Sequence, residues 1–127
     1  VVIKVEGGID AIVVRCLIDN RDKIVFDRDL RVVMVGDGNK NIHFDACSLW
    51  KLRCDLEMLA DGSSGGYIMD CQKNQRNFII FDQDINGKGM RIRVFNGSEM
   101  VYPVIFVPSE EVMSLAKLLE VVVENVS

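Results

Sequence analysis

The chain has a single histidine, His43, and none of its four cysteines (Cys16, Cys47, Cys54, Cys71) forms a Cys-x-x-Cys pair. This scarcity argues against a zinc site, which needs four clustered donors. Cys47 and Cys54 stand seven apart on one predicted helix, too far to bridge each other. We read the thiols as reduced and mostly buried, which points to an intracellular compartment, nuclear or cytoplasmic. No apolar run approaches the roughly 20 residues of a membrane span, so no membrane association is expected. The opening Val1-Val2-Ile3-Lys4-Val5 meets Glu6 and two glycines at once and does not read as a signal peptide. Its first residue is not Met, and we read the chain as a fragment or a processed product. An excess of basic charge is also missing. A net charge of −4 opposes indiscriminate polyanion binding while allowing a local basic patch. Neither half is a charged tail, since residues 1–62 hold nine basic and eleven acidic groups and residues 63–127 hold six and eight.

Catalytic constellations are missing too, and neither enzymatic activity nor a cofactor is expected. His43 sits between apolar neighbours without a convincing nucleophile and third partner, which reads as a structural histidine. Asp27, Asp29, Asp82 and Asp84 are paired carboxylates at corresponding turns, but the Asp-x-Asp-x-Asp-Gly run of a calcium loop is not there. Turn chemistry accounts for them. None of the glycine pairs has the spacing of a phosphate loop ahead of a helix.

What the chain does have is a repeat. Ile24-Val25-Phe26-Asp27-Arg28-Asp29-Leu30 returns as Ile79-Ile80-Phe81-Asp82-Gln83-Asp84-Ile85. Each copy is followed by a strand that begins with Arg (from Arg31, then from Arg91), a Gly/Asn turn, a short apolar strand and an amphipathic helix. Self-similarity over half of so short a chain marks two copies of one supersecondary unit. With 49% apolar and 27% charged residues the composition is that of a folded domain. A half of about 60 residues buries too little surface to stand alone, so the halves are expected to share one core.

Taken in order, strands are expected at residues 1–5, 11–19, 23–27, 31–35 and 42–44. Asp45 then caps a helix whose Leu49, Leu52, Leu56 and Leu59 form one apolar face, and the helix stops near Gly62. Ser63-Ser64-Gly65-Gly66 is the linker between the copies. The second copy gives strands at 67–71, 77–82, 90–95 and 102–107. Pro108 follows in the first helical turn or at its edge, Ser109 is expected as N-cap, and Val112, Leu115, Leu119 and Val122 line one face. The leucines of the first helix fall on these four positions at an offset of 63, while the offset is 55 at the Phe-Asp pair and 60 at the Arg strand. Turns have changed length and packed elements have not. The expected fold is α+β: two β-β-β-β-α repeats, residues 1–62 and 67–127, packed about a pseudo-twofold axis into one compact domain. Its sheets are antiparallel with the helices on one side. A pleckstrin-homology-like barrel with a C-terminal helix is the competing architecture, opposed by the mid-chain helix and the repeat.

This pattern resembles the β-β-β-β-α repeat shared by Whirly proteins, PUR-repeat proteins and the positive-cofactor-four transcriptional coactivators. The residues that carry the likeness are Met90-Arg91-Ile92-Arg93-Val94-Phe95, Val104-Ile105-Phe106-Val107-Pro108-Ser109-Glu110-Glu111-Val112, Leu115 and Leu119, echoed by Arg31 to Leu59. The likeness is one of topology and periodicity; the Lys-Gly-Asn-Ala-Leu stretch of Whirly proteins is not present. It implies a transcription-related module that binds single-stranded DNA or RNA on an open sheet face, bases stacking on aromatics and basic groups meeting phosphates. Alternation along the strand from Met90 puts Arg91, Arg93 and Phe95 on one face. Lys73, Arg76 and Asn77 share one turn, Lys88 lies between two glycines in another, and Arg31 repeats Arg91 in the first copy.

A solvated sheet face would show the same alternating arginines, and Phe95 could equally belong to the core. The first copy offers Val33 and Val35 where the second has Arg93 and Phe95. An apolar face there would instead suit a protein partner or a homodimer, with no affinity for nucleic acid. Trp50 fits either the core between the repeats or a dimer seam.

Overall fold

The computed structural model describes residues 3–18, 22–29, 31–36, 40–63, 66–84, 89–100 and 104–124. Two antiparallel sheets and two helices make up an α+β fold. The first sheet is a meander of β1 (Ile3–Gly7), β2 (Ala11–Cys16), β3 (Lys23–Asp27), β4 (Val32–Val35) and β5 (Lys40–His43), paired in sequence order. Helix α1 (Ala46–Asp61) follows. The second sheet contains β6 (Tyr67–Asp70), β7 (Asn77–Gln83), β8 (Met90–Asn96), β9 (Glu99–Met100) and β10 (Ile105–Val107), and α2 (Ser109–Glu124) is the last element among the described residues. Its order is β10-β8-β7-β6, with β9 also on β8.

The outer edge of the second sheet departs from the single strand expected at 102–107. Met100 lies opposite Phe95 but Ile105 lies opposite Ile92, so the two short strands flank β8 in different registers. Tyr102 lies outside the described residues.

Local signals set the helix ends. Asp45 accepts from the Ser48 amide at 2.8 Å, and Gly62, in the left-handed region at φ 82°, returns its N–H to the Leu59 and Met58 carbonyls. At α2 the expectation fails. Ser109 is the first helical residue and donates its hydroxyl to the Ala60 carbonyl at 3.1 Å. The carbonyl of Pro108 takes the amides of Glu111 and Val112, so Pro108 occupies the boundary expected of Ser109.

Every predicted leucine of α1 and every predicted apolar residue of α2 is buried. At about 2 kcal/mol for each fully buried aliphatic side chain, this face anchors each helix far more strongly than its cap does. One contiguous core joins both sheets and both helices. Each helix packs across the chain as well as on its neighbour: α1 on β6, β7 and α2, and α2 on β1, β2 and α1. The repeated phenylalanines, Phe26 and Phe81, meet at the centre with ring centroids 6.3 Å apart. The edge of β1 is closed by Glu111, whose carboxylate accepts the Val5 amide at 2.7 Å.

The expectation of mostly buried thiols holds for Cys71 alone. Cys16 is half-buried and Cys47 and Cys54 are exposed, because positions 47 and 54 fall on the solvent side of α1, away from its leucines.

Candidate nucleic-acid interface

Period-two alternation sends Ile79, Phe81, Met90, Ile92 and Val94 into the core and leaves Phe78, Ile80, Asp82, Arg91, Arg93 and Phe95 on the opposite face. The strand registers turn these residues into three rows. Asp70, Phe78, Phe95 and Met100 lie across the sheet in one row, Ile68, Ile80 and Arg93 in the next, and Asp82, Arg91 and Phe106 in the third.

Phe78 and Phe95, neighbours on the two central strands, stack with centroids 5.0 Å apart and planes 7° from parallel. The Arg93 guanidinium lies 5.8 Å from the Phe95 ring centre, within cation–π reach. Asp82 holds both arginines: Arg91 Nε and Nη2 at 2.7 and 2.9 Å, and Arg93 Nη2 at 2.9 Å. The Asp82 hydrogen bonds push the Arg91 pKa further up from its already high value, so its charge is fixed. Arg93 Nε is buried without a hydrogen-bond partner. Around this cluster Ile68, Phe106 and Met100 are exposed, at 55%, 48% and 44%. The face is therefore aromatic and aliphatic, with two fixed guanidinium groups and two carboxylates.

Of the residues expected at the site, Arg91, Arg93 and Phe95 do share this face. Lys73 and Arg76 are exposed in the turn between β6 and β7, at the end of the sheet where Phe78 and Phe95 stack. That turn is tied to the next hairpin, since the Gly97 amide donates to the Arg76 carbonyl at 2.6 Å. Asn77 is a correction: it begins β7 in phase with Ile79, so its side chain leaves the sheet on the opposite face from Phe78. Lys88 lies outside the described residues.

Arg31 also needs correction. It is exposed in the turn ahead of β4, at φ 51°, and belongs to the other sheet. Phe26 faces Val33 across its strands, whereas Phe81 faces Ile92. Val32 and Met34 thus stand where the second sheet has Arg91 and Arg93. A slip of one residue exchanges the faces of a strand, so Val33 and Val35, expected on an open surface, are core residues instead.

Sequence reasoning missed Phe78, Ile80 and Asp82, although their alternation with Ile79 and Phe81 was a signal that could have found them. Asp82 was assigned to a turn, and it is an ion-pair acceptor within β7. The corresponding face of the first sheet is different. Lys4, Arg15 and Lys23 form a row across it, Arg15 reaches Glu6 at 3.1 Å, and Val13, Val25 and Met34 line the middle. Beneath its far edge, burial and then Lys73 hold the His43 pKa below its usual value.

Beside β6, a cleft of about 640 Å³ is lined by residues including Ser48, Lys51, Tyr67, Ile68 and Asp70. Burial raises the Tyr67 hydroxyl pKa there. Among the described residues no group of three or more His, Cys, Asp or Glu side chains is placed to hold a metal ion, and no helix is long and apolar enough to cross a membrane. No protein-family model, curated protein or solved structure matches the chain.

Proposed function

We propose that the protein is a non-enzymatic module that binds single-stranded DNA or RNA across the β6–β7–β8–β10 sheet, in an intracellular, transcription-related setting. The observation that carries this reading is the Phe78–Phe95 stack on the two central strands, on the outer face, with Arg93 in the next row and Arg91 in the row beyond. Bases stack on such rings irrespective of sequence, at about 1–3 kcal/mol each. Lys73 and Arg76 supply cationic groups at the end of the same sheet. Asp82 and Asp70 offset much of the positive charge, so binding is led by stacking and its salt dependence is shallow.

The reading is supported by the architecture in which the face is set. Two meanders, each followed by a 16-residue helix, with Phe26 meeting Phe81 and each helix on the other half's sheet, fit a pseudo-twofold pair of β-β-β-β-α repeats in one domain. That is the arrangement of the Whirly, PUR-repeat and positive-cofactor-four likeness.

The test is fluorescence anisotropy with labelled single-stranded DNA and RNA at low and physiological salt, on the wild type, Phe78→Ala and Phe95→Ala. Saturable binding that weakens about tenfold or more in each variant, with thermal unfolding still cooperative, supports the reading. No binding at low salt, where attraction to phosphate is greatest, would falsify it. A second reading, a protein-interaction face, is favoured by the exposed Ile68, Met100 and Phe106 around the stack. It becomes the better one in that event.

A further inference from the structure

Helix α1 has two unlike sides. Leu49, Leu52, Leu56 and Leu59 are wholly buried, yet the solvent side is not uniformly polar. Cys47, Trp50, Cys54 and Met58 recur there at spacings of three, four and four, all exposed, with Trp50 at 53% and Met58 at 46%. Single exposed apolar residues need no explanation, but a stripe along a whole helix does. Its spacing is that of a helix–helix seam.

The charges beside the stripe are segregated. Lys51 and Arg53 lie in the N-terminal half, and Asp55, Glu57 and Asp61 in the C-terminal half. The first turn holds no acidic residue and the last no basic one. This order opposes the helix macrodipole, which favours acidic groups near the start and basic groups near the end. Within the chain, Lys51–Asp55 and Arg53–Glu57 stand four apart, Arg53 reaches Glu120 of α2 at 3.1 Å and lies 5.7 Å from the Trp50 ring centre, and the same order is complementary to its own reversal.

We propose that two copies of the chain associate by antiparallel pairing of α1 with α1, about a twofold axis at Cys54. Reversal about residue 54 sets Trp50 level with Met58 of the second chain and Lys51 level with its Glu57, while Arg53 keeps Glu120 of its own α2. The thioether of Met is a favourable neighbour for an indole ring, and Trp is the residue type most often dominant at such contacts. Each basic half then faces an acidic half, and the two macrodipoles oppose one another. Parallel pairing would set Lys51 beside Lys51 and Glu57 beside Glu57. The interface is isologous and therefore closes at a dimer. None of these side chains lies in the three rows of the Phe78–Phe95 face, so the inference stands apart from the nucleic-acid reading.

Sedimentation equilibrium of the whole chain, under reducing conditions, tests it. The wild type is expected to approach twice 14.3 kDa. Trp50→Ala is expected to weaken the dimer about thirtyfold or more, and Lys51→Glu or Glu57→Lys alone about tenfold, because each reversal sets like charges level. Mixing the two charge-reversal chains sets opposite charges level again and restores a dimer. A short bismaleimide is expected to join wild-type chains through Cys54, so Cys54→Ser loses the product and Cys47→Ser retains it. In this arrangement the two Cys47 residues are about 21 Å apart along the axis. A wild type that stays monomeric, a mixture that fails to recover, or cross-linking that follows Cys47 would each overturn the proposal.

Discussion

Replacing Asp82 with Asn is expected to weaken the fold and strengthen nucleic-acid binding together. The carboxylate accepts three hydrogen bonds from two arginines and is 16% exposed, against 30% for Arg91 and 25% for Arg93. That places the network between a surface pair, worth up to about 1 kcal/mol, and a buried one, whose disruption costs about 3–5 kcal/mol. Its loss is expected to cost about 2 kcal/mol, which in a chain of this size lowers Tm by about 7 °C. On the binding side, the two guanidinium groups now share one negative charge, leaving one net positive charge; Asn leaves two. Removing a carboxylate about 6 Å from a phosphate, at an effective dielectric near 40, is worth about 1.4 kcal/mol before screening. Screening reduces this to about 1 kcal/mol, or about fivefold in affinity. Each additional phosphate contact steepens the logarithmic salt dependence by about 0.7. Thermal unfolding followed by circular dichroism, with anisotropy titrations at several salt concentrations, measures both effects on one preparation. If affinity falls along with Tm, or the salt slope stays put, the arginines are structural partners of Asp82 and do not meet phosphate.

Three further outcomes follow from the packing and the caps. Leu56→Ala, at a wholly buried position of α1, is expected to lose about 3–4 kcal/mol, seen as a lower urea midpoint at an unchanged m-value. Gly89→Ala places a Cβ against the Val107 carbonyl oxygen at φ 83°, and a loss of about 2 kcal/mol or more is expected in the same assay. Asp45→Ala removes the α1 cap, at a cost of about 1 kcal/mol at neutral pH. The Ser48 amide holds the Asp45 carboxyl below its ordinary value of 3.8. The contribution is therefore present above that value and is lost as pH falls through the lower folded value, so the gap between wild type and variant should close in acid.

Much of the fold was legible because its signals are local. Leucine spacing marks the buried face of α1, and Asp45 and Gly62 mark its ends. Alternation along β8 alone brings Arg91, Arg93 and Phe95 to one face, since a strand exposes every second residue whatever its neighbours are.

Contacts between strands were decided elsewhere. Whether Phe78 stacks on Phe95, whether Asp82 collects two arginines, and whether Val33 or Met34 faces solvent all depend on register. Register is fixed by how the core closes and by the lengths of turns, and one residue of slip exchanges the two faces. The aligned sequences alone equated Arg31 with Arg91; the pairing of Phe26 with Val33 and of Phe81 with Ile92 moved that equivalence by one. Only the tertiary structure placed α1 over β6 and β7 and α2 over β1 and β2. Periodicity says which face of a helix is buried, and it carries no information about which sheet will cover it.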